Sequence, residues 1–490
     1  MKIEIKITYE VTYNMANTYL GNKGYSIYKN SISIKEQNHI RRELMVKPYL
    51  PKTSVTIATE FPIYRESNDK LYVPRFFGVD LYGEPNTIKI NPGKDISLNF
   101  KGTLMDFQIP IINAYLEAAK EKGGGLLEVG CGCGKTVMAL YIAAKLGKKT
   151  LVMVHKEFLL EQWIERISQF LPDAKIGRIQ GQTIDIDDKD IVIGMIQSLS
   201  MKSYPTSVFE DFGLTIIDET HHIAAEVFSN SLFQIVSTYM MGLSATMNRK
   251  DGLSKVFKMF IGDVVYKLKR ENNDCVYIRA INYINHDKEF NETVLNFKGH
   301  THYSIMIKKI CEFNPRTEFI LKILKDILPD KRNNQIMILA HNKNVLSYLF
   351  KAIEYRNLDT VGFYIGGMKQ KDLKASESKR IILATYAMAE EALDIKTLTT
   401  LIMATPKTDV TQAVGRILRE KHERPMVIDI IDQHPVFKKQ WTKRKTFYKK
   451  SKYNINEESN PDVTDLVVEE TVEKIDIKSR GVCLLNIDSI

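Results

Sequence analysis

The stretch Leu126–Thr136, LLEVGCGCGKT, constrains this chain more than any other. An apolar run leads into Gly130, Gly132 and Gly134, then Lys135 and Thr136, and a helical pattern starts near Val137. Glycines allow backbone N–H groups to curl around phosphate oxygens, and a helix N-terminus behind them adds the positive end of its dipole. A loop of this kind needs a strand in front and a helix behind. In that setting Lys135 reaches the β and γ phosphates, and the Thr136 hydroxyl holds Mg²⁺. The strict pattern wants glycine five residues before Gly134. Val129 stands there, and Gly130 is the candidate to serve instead.

The rest of the chain has the grammar such a loop demands. Between about 100 and 268, short apolar runs recur at Gly125–Val129, Thr150–Val154, Asp190–Ile196, Gly213–Ile217 and Tyr239–Leu243, with helical segments between them. Glu157–Phe170 places Leu159, Leu160, Trp163, Ile167 and Phe170 on one helix face. Near-continuous apolar strands alternating with helices predict an α/β fold, a parallel sheet covered on both sides. A second series, Gln335–Ala340, Thr360–Ile365, Lys379–Thr385, Leu398–Ala404 and Pro425–Ile430, predicts a second such domain. At 490 residues the chain has room for about three domains. We expect an accessory domain at 1–97, α/β domains at 98–272 and 273–436, and an extension at 437–490. The accessory domain reads as small and mostly β, with strands such as Lys2–Tyr9, Ser54–Thr59 and Lys70–Val73 and a helix near Ile34–Leu44. The extension starts as FKKQWTKRKTFYKKSKY, a basic helix bearing aromatics. It turns acidic from Asn454 to Val472, which predicts a loosely held tail.

Bulk properties exclude several classes. No run of about 18 apolar residues predicts a membrane span. MKIEIKITYE lacks the apolar core of a signal peptide, so an intracellular protein is expected, in a cytoplasmic factory or a virion if the source is viral. Five cysteines at irregular spacings do not make a disulfide framework. The one close pair, Cys131 and Cys133, sits inside the glycine loop with no second Cys or His pair nearby. The net charge of +10 suits a polyanionic partner and equally suits solubility.

Asp218-Glu219-Thr220-His221 follows the Gly213–Ile217 run. A carboxylate at the end of a parallel strand lies beside a phosphate site on the same sheet. Asp218 can hold Mg²⁺, Glu219 can orient and deprotonate an attacking water, and His221 can link the site to the next motif.

Together these segments resemble superfamily 2 helicases. The GKT loop, DETH, and Ser244-Ala245-Thr246 look like motifs I, II and III. LSATMNRKDGLSKVFKMFIG, Leu243–Gly262, resembles the UvsW-like and XPB-like branch. TLVMVHKEFLLEQWIERI, Thr150–Ile167, looks like motif Ia, and Met195–Leu199 like the next nucleic-acid-contact motif. LMDFQ, Leu104–Gln108, sits where this branch carries an adenine-contacting glutamine. In the second half, Arg380–Pro406 resembles motif V, with Thr385 toward the nucleic-acid backbone and Asp394 toward the ribose or the interdomain network. Ala392 stands where the family usually has Gly. Gln412–Arg419, QAVGRILR, matches motif VI, whose Arg416 and Arg419 would act on the γ-phosphate as arginine fingers. PYLPKTS, LYVPRFFG and HPVFKKQWTKRKTFYKKSKY resemble helicases of large DNA viruses, the poxviral transcript-release helicase among them.

The resemblance implies two tandem RecA-like domains, ATP and Mg²⁺ as cofactors, and a monomeric motor on nucleic acid, DNA favoured over RNA. RNA polymerase or replication and repair proteins are the implied partners. It also implies nucleic-acid contacts at His155, Gln197, Arg249 and Thr385. Lys443 and Arg444 in the basic stretch are further candidates, by phosphate contact and base stacking; the alternative is a terminal helix that packs its aromatics inward. No cysteine cluster of the iron–sulfur helicase kind is present. Two other functions stay open: an RNA helicase, and an ATP-switched binding module that separates no strands. The presence of Glu219, Arg416 and Arg419 together favours turnover.

Overall fold

Runs of Val, Ile, Leu and Met leave a strand no wet face, so each must be sandwiched between helices. The computed structural model describes residues 16–49, 58–130, 132–219, 225–246, 252–268, 275–330, 332, 334–391 and 395–460. Its first α/β sheet has eight strands, in the order Thr183–Asp185, Ile176–Gln180, Ile191–Met195, Thr150–Val154, Leu214–Asp218, Tyr239–Ser244, Gly124–Glu128 and Val264–Lys267. All neighbours are parallel except the outermost pair, Thr183–Asp185 with Ile176–Gln180.

Alternation along each strand divides the core in two. Helices Gln108–Lys122, Lys135–Leu146 and Glu157–Phe170 pack on Leu127, Val152 and Ile216. Helices Ile196–Met201, Ala225–Leu232 and Ser254–Ile261 pack on Leu126, Leu151, Met153 and Ile217 of the other face. The amphipathic helix expected at Glu157–Phe170 has those bounds, with Leu159, Leu160, Trp163 and Ile167 buried.

The second sheet has seven strands, all parallel, in the order Val361–Tyr364, Ile381–Thr385, Ile336–Ala340, Thr400–Met403, Met426–Asp432, Tyr277–Tyr283 and Asn454–Ser459. The last strand corrects one expectation: the acidic tail is not loose over its first residues, and the described part of the extension, to Asn460, joins this sheet. Helix Pro435–Lys450 carries the chain across the sheet and returns it as an edge strand. NINEES looks unlike a strand because an edge needs little apolar surface. Its acids instead find cations, Glu458 pairing with Arg279 and Glu457 with Lys445.

The basic helix packs inward through Phe437, Trp441, Arg444 and Tyr448 and leaves Lys443 exposed. Arg444 is therefore not available to nucleic acid. Its guanidinium is fully buried and donates to both carboxylate oxygens of Asp429, at 2.7 and 2.8 Å, and to the Lys407 carbonyl at 2.7 Å. Asp429 lies inside a buried strand, where a carboxylate without a charged partner would be strongly destabilising. A second pair sits nearby on the same strand: Arg316, also fully buried, donates to both oxygens of Asp432 and to the Ala404 carbonyl at 2.7 Å.

The N-terminal domain is a five-stranded sheet in the order Arg65–Glu66, Lys70–Val73, Gly24–Tyr28, Thr18–Gly21 and Thr87–Ile88. Helix Ile34–Glu43, close to the expected span, opens with a Ser33–Glu36 capping box. Helix Arg75–Tyr82, not anticipated, lays Gly78 on the Tyr25 ring so closely that a Cβ there would sit 2.2 Å from it. Arg75 ties the domain to the first α/β unit by donating to the carbonyls of Lys122, Ser237 and Thr238. The strand expected at Lys2–Tyr9, and most of that at Ser54–Thr59, lie outside the described residues. Among the described residues no helix is long and apolar enough to cross a membrane.

Replacing Arg316 with Leu strands the Asp432 carboxylate in the core. The expected loss is ~3–5 kcal/mol, read as a lower denaturation midpoint of the second domain. The double replacement Arg316→Leu with Asp432→Leu should recover much of it.

Candidate active site

In the first sheet three neighbouring strands end side by side, because Glu128 pairs with Ser244 and Asp218 with Leu243. Their carboxyl ends carry the glycine loop, the Ser244-Ala245-Thr246 segment and the Asp218-Glu219 pair. The loop and the second strand are further tied by Val129 N–H donating to the Ser244 carbonyl at 2.9 Å. The Ser244 hydroxyl folds back to donate to the Thr246 carbonyl at 2.7 Å.

The loop has the form its glycines predict. Gly132 and Gly134 have φ of +80° and +75°, the left-handed region that side chains resist. Nothing lies within 4 Å of where a Cβ on Gly132 would be, and only the Cys133 Sγ approaches that of Gly130, at 4.0 Å. The helix Lys135–Leu146 begins directly after Gly134, so its first N–H groups and its dipole face the loop. This cradle, with Lys135 and Thr136 at its end, fits a nucleoside triphosphate with its Mg²⁺.

Gln108 is 4% exposed and braces the loop. Its amide N–H donates to the Cys133 carbonyl at 3.0 Å, and its amide oxygen accepts from Met105 N–H at 3.0 Å. The glutamine expected to meet adenine is thus placed against the phosphate loop itself.

The acidic pair is held with more precision than its sequence suggested. Lys135 Nζ lies 3.3 Å from Glu219 Oε1. Glu219 has φ of +48°, a strained conformation for a residue with a side chain. Its N–H donates to Asp218 Oδ1 at 2.9 Å. The other oxygen, Oδ2, accepts from the indole N–H of Trp163 at 2.9 Å. Burial pushes the Asp218 carboxyl up to about 6, and the neighbouring Glu219 charge adds to the rise, while Lys135 and the Trp163 bond oppose it. Trp163 read in sequence only as one apolar position on a helix face; nothing there signalled the use of its N–H.

The remaining first-domain candidates divide. Gln197 is exposed, and its amide donates to the His155 carbonyl at 2.7 Å. The His155 side chain is buried just past the end of a fully buried strand, so of the two only Gln197 is exposed. His221 and Arg249 lie outside the described residues, as does Asp394 in the second domain.

In the second domain Thr385 ends the strand next to the edge strand Val361–Tyr364 and is partly exposed. The following Tyr386 donates its hydroxyl to the Thr405 carbonyl at 2.6 Å. His341 N–H donates to the Thr405 hydroxyl at 2.9 Å, and the His341 ring Nδ1 lies 2.8 Å from it. Burial, with Lys407 adding to it, holds the His341 ring down to about 4, so it is neutral at physiological pH. Arg316 on Ala404, Tyr386 and His341 on Thr405, and Arg444 on Lys407 therefore pin the loop that feeds Gln412, Arg416 and Arg419. These do not share one regular helix. Thr411–Gly415 is α-helical and Arg416–Leu418 a 3-10 turn, with Arg419 at its C-cap. Arg416 is buried and Arg419 partly exposed.

Comparison with known proteins agrees with these motifs. The family described as "Type III restriction enzyme, res subunit" matches residues 101–249. A putative ATP-dependent RNA helicase of Acanthamoeba polyphaga mimivirus is 36% identical over 460 residues, covering 90% of this chain and 87% of the relative. A putative ATP-dependent RNA helicase of African swine fever virus is 27% identical over 355 residues, covering 67% and 69% respectively. Among solved structures, T4 UvsW aligns over 90% of this chain and 99% of its own at 17% identity, with a TM-score of 0.36.

If Asp218 holds Mg²⁺, as its place at the strand end leads one to expect, protons would compete with the ion, and the Mg²⁺ concentration needed for half-maximal ATP hydrolysis should rise as pH falls through about 6. Trp163→Phe removes a bond to the charged carboxylate, so its carboxyl pKa should rise. The upturn in Mg²⁺ requirement should move to higher pH, at a cost of about 1.5–3 kcal/mol for a hydrogen bond to a charged group. Identical Mg²⁺ titrations of the two proteins across pH 5.5–8 would rule this out.

Proposed function

This chain belongs to the superfamily 2 helicases of the large DNA viruses, and we propose that it is a DNA-dependent ATPase that translocates on or unwinds its track. That it is an ATP-dependent helicase follows from its family. The observation that carries the reading of its chemistry is the ordered set Lys135, Glu219, Asp218 and Trp163 at the strand ends beside an open glycine loop.

In this reading Gly130, Gly132, Gly134, Lys135 and Thr136 hold the triphosphate, with Gln108 keeping the loop in shape. Thr136 and Asp218 would hold Mg²⁺, which neutralises phosphate charge when bound. Glu219 orients the attacking water and takes its proton, and the strained backbone at that residue aims the carboxylate. Arg416 and Arg419 come from the second domain, with Gln412 beside them, and stabilise charge on the γ-phosphate. Because one domain supplies the cradle and the other the arginines, bound ATP favours closure and loss of the γ-phosphate favours opening. Gln197 and Thr385, one on each domain, and the exposed Lys443 would grip the track.

DNA is supported by the restriction-enzyme family on the first domain and by the UvsW-like and XPB-like pattern of Leu243–Gly262. RNA is the second reading, favoured by the names of the mimiviral and asfarviral relatives.

Steady-state ATP hydrolysis with single-stranded, duplex and forked DNA and with RNA, at two salt concentrations, separates these. Salt-sensitive stimulation by DNA is expected, and stimulation by RNA alone would move the assignment. Lys135→Ala should lower turnover at least about 100-fold, and Glu219→Gln should bind ATP while hydrolysing it about 100-fold more slowly.

A further inference from the structure

One side of the N-terminal sheet gathers tyrosines and lysines. Alternation turns Leu20, Tyr25, Ile27, Leu71 and Val73 inward, where they are buried. It turns Tyr19, Tyr28 and Tyr72 outward. The register makes them neighbours: Tyr19 pairs with Ser26, Ser26 with Tyr72, and Tyr28 with Lys70. All three rings are partly exposed and none belongs to a hydrophobic core cluster.

Cations surround the rings. Lys89 Nζ lies 4.3 Å from the Tyr19 ring centre, Lys70 lies 5.2 Å from Tyr19 and 4.8 Å from Tyr28, and Lys23 lies 5.1 Å from Tyr72. The three strands Thr18–Gly21, Gly24–Tyr28 and Lys70–Val73 contain no Asp or Glu. The nearest strand that does, Arg65–Glu66, has its Glu66 carboxylate paired with Lys29 and Arg41, each at 2.9 Å. The face is therefore aromatic and positive, with the Tyr19 and Tyr28 rings 5.9 Å apart and inclined at 52° to each other.

We propose that this face binds single-stranded DNA, with unpaired bases stacking on Tyr19, Tyr28 and Tyr72 and phosphates held by Lys23, Lys70 and Lys89. Aromatic platforms ringed by cations are what a single strand requires, since every base has a π face and every link a charge. A duplex hides its base faces and cannot use the rings. The lysines sit over the rings on long flexible stems, so an arriving base displaces an ammonium group that then meets the adjacent phosphate. The site is separate from the catalytic residues and rests on the preceding reading only in taking DNA as the strand.

The test is binding of fluorescent oligo(dT), oligo(U) and a duplex of equal length to the full chain without nucleotide, by anisotropy across salt. It is independent of ATP turnover, so a motor that responds only to RNA or to nothing still tests the face through oligo(dT). Tyr19→Ala with Tyr72→Ala should weaken oligo(dT) binding at least about 30-fold, while Tyr19→Phe with Tyr72→Phe retains it. Lys70→Gln with Lys89→Gln should reduce the slope of log affinity on log salt by about 1.4. Should the alanine variant fail to fold, ultraviolet crosslinking of wild-type protein to 4-thiothymidine oligonucleotide decides, with adducts expected on Tyr19, Tyr28 or Tyr72. Unchanged affinity in a folded alanine variant, crosslinks confined to other residues, or a tyrosine-dependent preference for duplex or oligo(U) would overturn the proposal.

Discussion

A parallel sheet buried on both faces can offer chemistry only at its strand ends, and this constraint organises both α/β domains. In the first, Leu151 to Val154 and their neighbours have no solvent to face, so polar side chains gather where the strands stop. Glu128, Asp218 and Ser244 end three adjacent strands, and the glycine loop, the acidic pair and the Ser-Ala-Thr segment converge without any long-range device to bring them together. What the sheet cannot do is orient the side chains. That falls to Gln108, Trp163 and the left-handed turn at Glu219, each supplied from a neighbouring helix or from the backbone itself.

The second domain answers the same problem with charge. Asp429 and Asp432 sit on one buried strand, and each is met by a buried arginine, one from Asn314–Ile327 and the other from Pro435–Lys450. Both arginines spend a further N–H on the loop that precedes Gln412. The basic helix thus has two roles on two faces: its inner side fixes the loop behind the arginine motif, and its outer side presents lysines to solvent.

Much of this was legible in the sequence, for a physical reason. Fully buried strands leave unbroken apolar runs, and a phosphate loop leaves glycines at fixed spacing, so the two sheets and the residues Lys135, Thr136, Asp218 and Glu219 could be placed from residue types alone. The failures share a cause as well. Arg444 reads as a surface cation, and only its long-range pairing with Asp429 shows otherwise. Asn454–Ser459 reads as a tail because an edge strand with ionic partners needs no apolar pattern. Trp163 reads as core, and it is core, while its N–H does separate work. Pairings between distant segments are set by tertiary structure and leave no periodic trace.

The contact between Lys135 and Glu219 has a consequence for how the machine idles. Lys135, proposed to hold phosphate, and Glu219, proposed to act as the base, are joined as an ion pair. In the proposed mechanism a triphosphate would compete with the carboxylate for the lysine, and that same exchange would release the carboxylate for a water molecule. On that reading, arming the base is tied to loading the substrate, and the ion pair would act as a safety catch that the substrate lifts.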